Sequence, residues 1–215
     1  MNYQRKLEAK EKLILVQHSN DTDSWGTPDE ILVASRIVLG GTIDLDPASS
    51  TFFNTRVRAK QFYDQYNDGL IHHWNTYTNY PHDWEPRSIF LNPPSGRYNS
   101  KTDMLSGNLR YIKGRWINKL FWQKLLDEVF EGRVSHAIYI AYSIEQMQTT
   151  QIDCTKSILD FPMCIPNRRL DFVNTQGEKK EQGTHASAIV YVPGTVDKSL
   201  LFKETFEQFG KVINV

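Results

Sequence analysis

The chain has 215 residues, of which 40% are apolar and 12% aromatic, and its 25 basic residues balance its 25 acidic ones. These values predict one folded domain with a sizeable core and exclude a disordered chain. They also exclude nucleic-acid binding through overall charge, so such binding would need a local basic patch.

Two units are predicted in chain order: an N-terminal helical extension over residues 1–22 and a main domain over residues 23–215. In the main domain, capping residues and periodicity predict helices at 27–40, 116–132 and 198–210. Short apolar runs predict strands at 42–46, within 59–70, and at 87–92, 135–143, 157–166, 185–193 and 211–215. This order predicts an α/β fold with a mainly parallel sheet and an antiparallel element late in the chain.

Other residue patterns exclude a membrane partner and a metal site. The longest apolar run is far below the roughly 20 residues of a membrane span. Cys154 and Cys164 are too few and too isolated for a disulfide framework or a zinc site. The histidines His72, His73 and His185 lack metal-ligand spacing, so no metal is predicted.

Two polar residues, Asp46 and Asn92, stand at the ends of predicted strands. In open α/β sheets the ligand crevice lies at the carboxyl ends of the strands, which makes both residues site candidates. The alternative is that each is a turn residue that merely ends its strand.

The stretch Asn92-Pro93-Pro94 follows an apolar run and is stiff, because proline fixes φ and restricts the residue before it. The side-chain oxygen of Asn92 and the carbonyl oxygen of Pro93 could accept the two N–H bonds of an exocyclic base amine. Held in this way, the amine lone pair points toward an electrophile such as the methyl group of S-adenosylmethionine. The alternative is a Pro-Pro turn in which Asn92 bonds locally.

Six segments, in this order, resemble phage-type DNA N6-adenine methyltransferases over roughly residues 23–192: DSWGTPDEIL, IDLDPASS, AKQFYDQYNDGLIHHW, SIFLNPPSG, FWQKLLDEVF and IPNRRLDFV. The resemblance implies a Rossmann-like methyltransferase fold with a seven-stranded sheet and helices on both faces. It also implies S-adenosylmethionine as cofactor, DNA as partner and a cytoplasmic location in a phage, prophage or bacterial host.

The resemblance also implies roles for individual residues. The catalytic motif is Asn92, Pro93, Pro94 and Ser95. The cofactor-binding residues are Trp25, Thr27, Pro28, Asp46, Pro47, Ala48, Ser49 and Asp68. Among these, Asp46 could hold the cofactor's ammonium, and Asp68 could accept from the adenine amine or a ribose hydroxyl, with Asp64 as the competing ribose candidate. As an alternative, the stretch YNDGL is a turn without a ligand.

Ser95 departs from the family pattern. Many relatives have Tyr or Phe there, whose ring stacks on the extruded base, and serine cannot stack. Tyr98, Tyr111 or Trp116 could supply the missing ring. The target base is therefore left open between adenine and cytosine.

The loop over residues 96–115 is basic, polar and next to Asn92, which predicts contact with DNA. Its predicted DNA-binding residues are Arg97, Tyr98, Lys101, Arg110, Lys113 and Arg115. The alternative is a solvated surface loop. Arg168 and Arg169, the N-terminal extension and residues 174–183 are further candidates.

Together these features predict a site-specific DNA methyltransferase that transfers a methyl group from S-adenosylmethionine to adenine N6. The alternatives are an amino-methyltransferase for cytosine N4, RNA or protein glutamine, and a catalytically silent DNA-binding relative.

Overall fold

The computed structural model describes residues 25–64, 66–75, 85, 87–94, 116–179 and 185–215. The predicted N-terminal helical extension lies outside the described residues. So do Ser95 and the predicted DNA-contacting loop over residues 96–115.

Within the described residues, helices and strands alternate from residue 29 onward. The helices are α1 (Asp29–Val38), α2 (Thr51–Val57), α3 (Ile117–Phe130), α4 (Ile144–Asp153) and α5 (Ser199–Phe206), with a short 3₁₀ helix at Ile158–Asp160. The strands are β1 (Ile43–Asp46), β2 (Ala59–Phe62), β3 (Arg87–Leu91), β4 (Val134–Ala141), β5 (Met163–Pro166), β6 (Ala188–Pro193) and β7 (Gly210–Ile213). None of the described helices is long and apolar enough to cross a membrane.

The strands form one seven-stranded mixed sheet in the order β2-β1-β3-β4-β6-β5-β7. The pairings of β1 with β2, β1 with β3 and β3 with β4 are parallel. The pairings of β4 with β6, β6 with β5 and β5 with β7 are antiparallel. The prediction of a mainly parallel sheet is therefore wrong, whereas the predicted late antiparallel element is confirmed.

The way the chain connects β4, β5 and β6 explains why half of the sheet is antiparallel. β6 inserts between β4 and β5, although it comes after both in the chain. The described residues between β5 and β6 contain no helix of the kind that usually joins neighbouring parallel strands. Two antiparallel pairings in succession leave β5 pointing the same way as β1 to β4.

Helices cover both faces of the sheet, as predicted. On one face, Leu91 and Tyr139 pack with buried residues of α3. On the other face, Phe90 and Ile138 pack with buried residues of α1 and α5. Successive residues of β3 and β4 thus point to opposite faces, and all five residues of β3 are buried. This confirms the buried strand predicted at 87–92, which ends at Leu91.

Two helices were missed in the sequence, and their few buried residues explain why. In α2 only Val57 is buried, and in α4 only Gln146 and Thr150 are. Neither helix therefore shows a clear apolar face. The sequence signal that could have revealed both helices is the serine at each N-cap. Ser50 Oγ and Ser143 Oγ each accept a hydrogen bond from a backbone N–H of the first turn at 3.2 Å.

Two predicted strands are shorter than expected. The run 157–166 starts with the 3₁₀ helix and is a strand only over Met163–Pro166. The run 185–193 is a strand only over Ala188–Pro193, whereas the strand predicted within 59–70 is confirmed at Ala59–Phe62. In the run 157–166, a capping box between Ser157 and Asp160 stabilises the 3₁₀ helix, so these residues do not pair as a strand.

Candidate active site

The strands β1 to β5 end at one edge of the sheet, here called the carboxyl edge. Asp46 is the last residue of β1, and Asn92 directly follows β3. β1 and β3 are neighbours, with Leu45 opposite Ile89. The predicted position of both residues at the carboxyl ends of strands is therefore confirmed, and the two strands are neighbours.

The side-chain amide of Asn92 is tied to a distant segment of the chain. Its Nδ2 donates a hydrogen bond to the backbone oxygen of Trp25 at 2.7 Å. Since a carbonyl oxygen only accepts, this bond identifies the nitrogen end of the amide and fixes where the oxygen end lies. Asn92 is half-buried and Pro93 is buried. The Asn-Pro-Pro and Trp-Gly-Thr-Pro motifs thus form one unit.

Backbone pairing and a close ring contact hold the segment Trp25–Pro28 in place. Gly26 N–H donates to the Val173 oxygen at 2.7 Å, and Val173 N–H donates to the Gly26 oxygen at 2.9 Å. A Cβ at Gly26 would lie only 2.7 Å from the ring of Phe53. A larger residue at this position would therefore force the Phe53 ring of α2 to move.

Thr27, in the same segment, has a buried hydroxyl without a partner. The residue is 2% exposed, and its Oγ1 has no hydrogen-bond partner among the described residues. An unpaired buried hydroxyl costs about 1–3 kcal/mol, so its presence calls for an explanation. Hydrogen bonding to a bound polar ligand is one such explanation.

The carboxylate of Asp46 is buried, and none of the described cationic side chains pairs with it. The residue is 3% exposed, and its Oδ1 accepts from Ala48 N–H at 3.2 Å. Burial raises the pKa of Asp46 to about 7, although the Ala48 N–H and the nearby Ser49 hydroxyl act to lower it. The Ser49 Oγ itself lies outside normal hydrogen-bond geometry. Within the described part of the chain, no Lys, Arg or His forms an ion pair with Asp46.

The turn around Asp68 packs directly on the turn after β1. Asp68 Oδ1 accepts from Leu70 N–H at 2.9 Å, which agrees with the prediction of a turn. A Cβ at the buried Gly69 would lie 2.1 Å from the oxygen of Pro47. The carboxylate of Asp64 accepts from two backbone N–H groups of its own turn, at 2.9 and 3.0 Å. The structure therefore joins two of the predicted cofactor segments.

Glu128 of α3 anchors the chain that follows this turn, a role that sequence reasoning missed. Its fully buried carboxylate accepts from Trp74 N–H at 3.0 Å, from Lys124 Nζ at 2.5 Å and from Arg133 Nε at 2.6 Å. Trp74 in turn donates through Nε1 to the Gly69 oxygen at 2.8 Å. Burial acts to raise the pKa of Glu128, but its bonds with Arg133 and Lys124 outweigh burial and hold the pKa below its usual value. The sequence signal that could have revealed this role is an acidic residue on the apolar face of a predicted helix.

A cleft of about 320 Å³ lies at the same carboxyl edge, after β5. Its lining includes Arg168, Arg169, Asn167 and Glu30. Arg168 is 72% exposed, and its ion pairs with described residues are long, at 3.9 Å to Glu30 and 3.8 Å to Asp171. The cleft thus contains two of the arginines predicted as further candidates for contact with DNA.

The histidines near this edge have structural partners. The His72 ring stacks on Tyr63 at 4.7 Å, and its Nε2 lies 2.6 Å from Asn67 Oδ1. Across the described residues, no group of three or more His, Cys, Asp or Glu side chains is placed to hold a metal ion.

No protein-family model matches the chain, and no curated protein matches its sequence. The resemblance stated above therefore remains a prediction, and the functional argument depends on the motifs and on the geometry at the carboxyl edge.

Proposed function

We propose that this chain is an S-adenosylmethionine-dependent methyltransferase that methylates the N6 amine of adenine in DNA. The observation that carries the proposal is the bond from Asn92 Nδ2 to the Trp25 oxygen at 2.7 Å. It orients an amide oxygen next to a stiff Pro-Pro turn, where the predicted chemistry requires an acceptor.

The residues of the chain prepare the amine rather than deprotonate it. Asn92 Oδ1 and the Pro93 carbonyl oxygen accept its two N–H bonds and localise the nitrogen lone pair. Both dipoles are in place before reaction, so they stabilise the positive charge that develops on the nitrogen. The bond to Trp25 keeps the Asn92 amide from turning its NH₂ end toward the amine.

Two features at the carboxyl edge fit the methionine end of the cofactor, which carries an ammonium and a carboxylate. The buried Asp46 carboxylate would accept from the ammonium, and the unpaired Thr27 hydroxyl would donate to the carboxylate. Pro47 and Asp68 would line the adjacent part of the site. When bound, S-adenosylmethionine supplies an electrophilic methyl group.

The architecture is compatible with a Rossmann-like methyltransferase fold, since the chemistry-bearing residues follow neighbouring parallel strands at one edge. A nucleic-acid acceptor is favoured by the arginine-lined cleft at that edge. Methylation of a base in a duplex requires the nucleotide to be flipped out of the stack, and a stiff acceptor pair at an open edge suits such a base.

The test is transfer of a labelled methyl group from S-adenosylmethionine to a panel of acceptors, followed by identification of the modified nucleoside. We expect label in DNA and N6-methyladenine as product. N4-methylcytosine, labelled RNA or labelled protein glutamine would identify one of the alternative acceptors. Cofactor binding and DNA binding without transfer to any acceptor would instead identify a catalytically silent relative. Absence of cofactor binding by calorimetry would refute the methyltransferase proposal.

A further inference from the structure

A chain of buried hydrogen bonds leads from the core to the carboxyl edge, and the proposed function does not yet use it. Gln146 Nε2 bonds to the hydroxyl of Tyr139, and this hydroxyl donates to the Asn118 oxygen at 2.9 Å. Asn118 Nδ2 then donates to the hydroxyl of Tyr142 at 3.0 Å. Gln146, Tyr139 and Asn118 are all buried, whereas Tyr142 is half-buried at the end of the chain of bonds.

Tyr142 follows β4 at the same edge of the sheet at which Asn92 follows β3. The last paired residues of these neighbouring parallel strands are Leu91 and Tyr139. β3 ends at Leu91 and β4 ends at Ala141, so Asn92 and Tyr142 are the first residues after their strands. Neighbouring strands are about 4.8 Å apart, so the two segments leave the carboxyl edge from adjacent positions.

The network has a clear physical effect on this tyrosine. A buried polar group is costly unless it is hydrogen-bonded, and a hydrogen-bonded side chain has less freedom to move. In this network Gln146 Oε1 has no partner among the described residues, whereas both tyrosine hydroxyls are bonded to Asn118. The backbone oxygen of Asn118 accepts from the Tyr139 hydroxyl in the core, and its side-chain Nδ2 donates to the Tyr142 hydroxyl at the edge. The ring of Tyr142 is therefore held at its hydroxyl end before any ligand arrives.

We propose that Tyr142 supplies the aromatic face on which the target base stacks beside Asn92. This inference rests on the proposed function. An extruded base loses its neighbours in the duplex, and stacking on an aromatic side chain replaces part of that loss. Ser95 has no ring to offer, and a ring already held in place loses little conformational entropy on binding.

Trp116 is the rival among the described residues, because it lies at the N-cap of α3 and is 43% exposed. Trp116 lies at the start of α3, whereas Tyr142 follows β4, which pairs directly with the strand that precedes Asn92. We therefore assign the stacking role to Tyr142.

The first measurement compares kcat/KM for DNA methylation in Tyr142→Phe, Tyr142→Ala and Tyr142→Leu. Stacking on one aromatic ring contributes about 1–3 kcal/mol per base, so losing the ring should lower kcat/KM by about 5- to 150-fold. Tyr142→Phe keeps the ring and should stay near the wild-type value. Tyr142→Leu retains apolar volume, so it covers the case in which the alanine variant folds poorly.

The second measurement uses a duplex with 2-aminopurine at the base that the wild-type protein methylates. Stacking on Tyr142 should keep the flipped probe dim, so fluorescence should be bright with Tyr142→Ala and Tyr142→Leu and dim with Tyr142→Phe. Cofactor affinity should stay unchanged in all three.

Three results would overturn the inference: wild-type kcat/KM in both ring-less variants, a phenylalanine variant as defective as the alanine one, or brightening only with Trp116→Ala. In each of these the wild-type protein still methylates DNA, so the proposed function survives. If the wild-type protein transfers no methyl group to DNA, both proposals fall.

Discussion

At the residue scale, two polar side chains at the ends of neighbouring strands acquire opposite properties from their surroundings. Asn92 has its nitrogen end bound to Trp25, which leaves its oxygen end with a fixed direction. Asp46 is buried, and no cation in the described part of the chain pairs with it, so its charged form is disfavoured until a positive group arrives. The first property suits a preorganised acceptor, and the second suits a binding site for a cation.

Replacing Asn92 by alanine should separate catalysis from cofactor binding. The lost oxygen acts on charge that develops in the transition state, and loss of such a group commonly lowers the rate about 10²–10³-fold. The lost bond to Trp25 is a single hydrogen bond, worth about 0.5–1.5 kcal/mol, so cofactor affinity should fall no more than about tenfold. Single-turnover rates and calorimetry measure the two effects. A variant with near-normal turnover would refute the catalytic role of Asn92.

Cofactor affinity should depend on pH through Asp46, whose pKa is about 7. The cofactor's ammonium binds the ionised carboxylate, and an α-amino group itself titrates at about 7.7–8.0. Affinity should therefore have a maximum near about pH 7.4, should be about sixfold weaker at pH 6, and should decline again above the maximum. Calorimetry at several pH values tests this. In Asp46→Asn the step between pH 6 and pH 7 should vanish, and a step that persists would exclude Asp46 as its source.

The titration of Asp46 should also affect the stability of the unliganded protein, but here the free energy of unfolding should fall as the pH rises. The folded-state pKa of Asp46 lies above its unfolded value of 3.8, so the folded chain keeps this proton while the unfolded chain loses it. The contribution is fully present below about pH 4 and is lost as the pH rises to about 7, at up to about 1.4 kcal/mol per pH unit. Urea unfolding of wild type and Asp46→Asn should therefore diverge across this window. Parallel curves for the two proteins would contradict the raised pKa.

At the element scale, the site is built by turns that pack on one another rather than by any single motif. Gly69 lies against the oxygen of Pro47, which joins the turn after β1 to the turn after β2. The same glycine accepts from Trp74, whose backbone N–H is held by Glu128 of α3. The geometry of the proposed cofactor site therefore depends on a helix that contributes no ligand to it.

Replacing Gly69 by alanine should weaken cofactor binding beyond any effect on stability. The new Cβ would lie 2.1 Å from a backbone oxygen, so the two turns must separate. Gly194→Ala is the matched control, because its Cβ would lie 2.2 Å from the Val134 oxygen at the opposite edge of the sheet. We expect both variants to unfold at lower urea concentration but only Gly69→Ala to bind the cofactor more weakly. Equal cofactor affinities for the two folded variants would show that the Gly69 contact does not shape the site.

At the scale of the whole molecule, charge is balanced overall and also within the cleft at the carboxyl edge. The 25 basic residues equal the 25 acidic ones, and the cleft is lined by Arg168 and Arg169 together with Glu30 and Asp171. The cleft follows β5, three strand spacings from β3, which is roughly 14 Å from Asn92 along the edge. A nucleic acid that presents a base to Asn92 can therefore reach this cleft with its backbone.

Replacing Arg168 and Arg169 together by alanine should weaken DNA binding and flatten its salt dependence. Each phosphate contact contributes about −0.9 to the slope of log K against log salt, so the slope should change by up to about 1.8. Lys198→Ala with Lys203→Ala removes the same charge from the region of α5 and should leave the slope unchanged. Titrations at several salt concentrations measure both variants. An unchanged slope in the arginine variant, or an equal change in the lysine control, would remove the cleft from the DNA-binding surface.

Local signals in the sequence determined the α/β class, most strands, three helices and the identity of the two polar residues at strand ends. Each of these signals lies within a few neighbouring residues, so it can be recognised without knowledge of the fold. Examples are Pro28 before α1, the glycines after α1 and α3, and the apolar run of β3. The Asn-Pro-Pro chemistry is likewise a property of adjacent residues.

Tertiary structure alone decided how these pieces meet. The insertion of β6 between β4 and β5, the bond from Asn92 to Trp25 across 67 residues, the contact of Gly69 with Pro47 and the anchoring of Trp74 by Glu128 all join distant parts of the chain. No local periodicity or capping signal encodes such pairs, because their energy exists only once the sheet and its helices are packed. The raised pKa of Asp46 has the same origin, since burial is a property of the folded molecule and not of the residue.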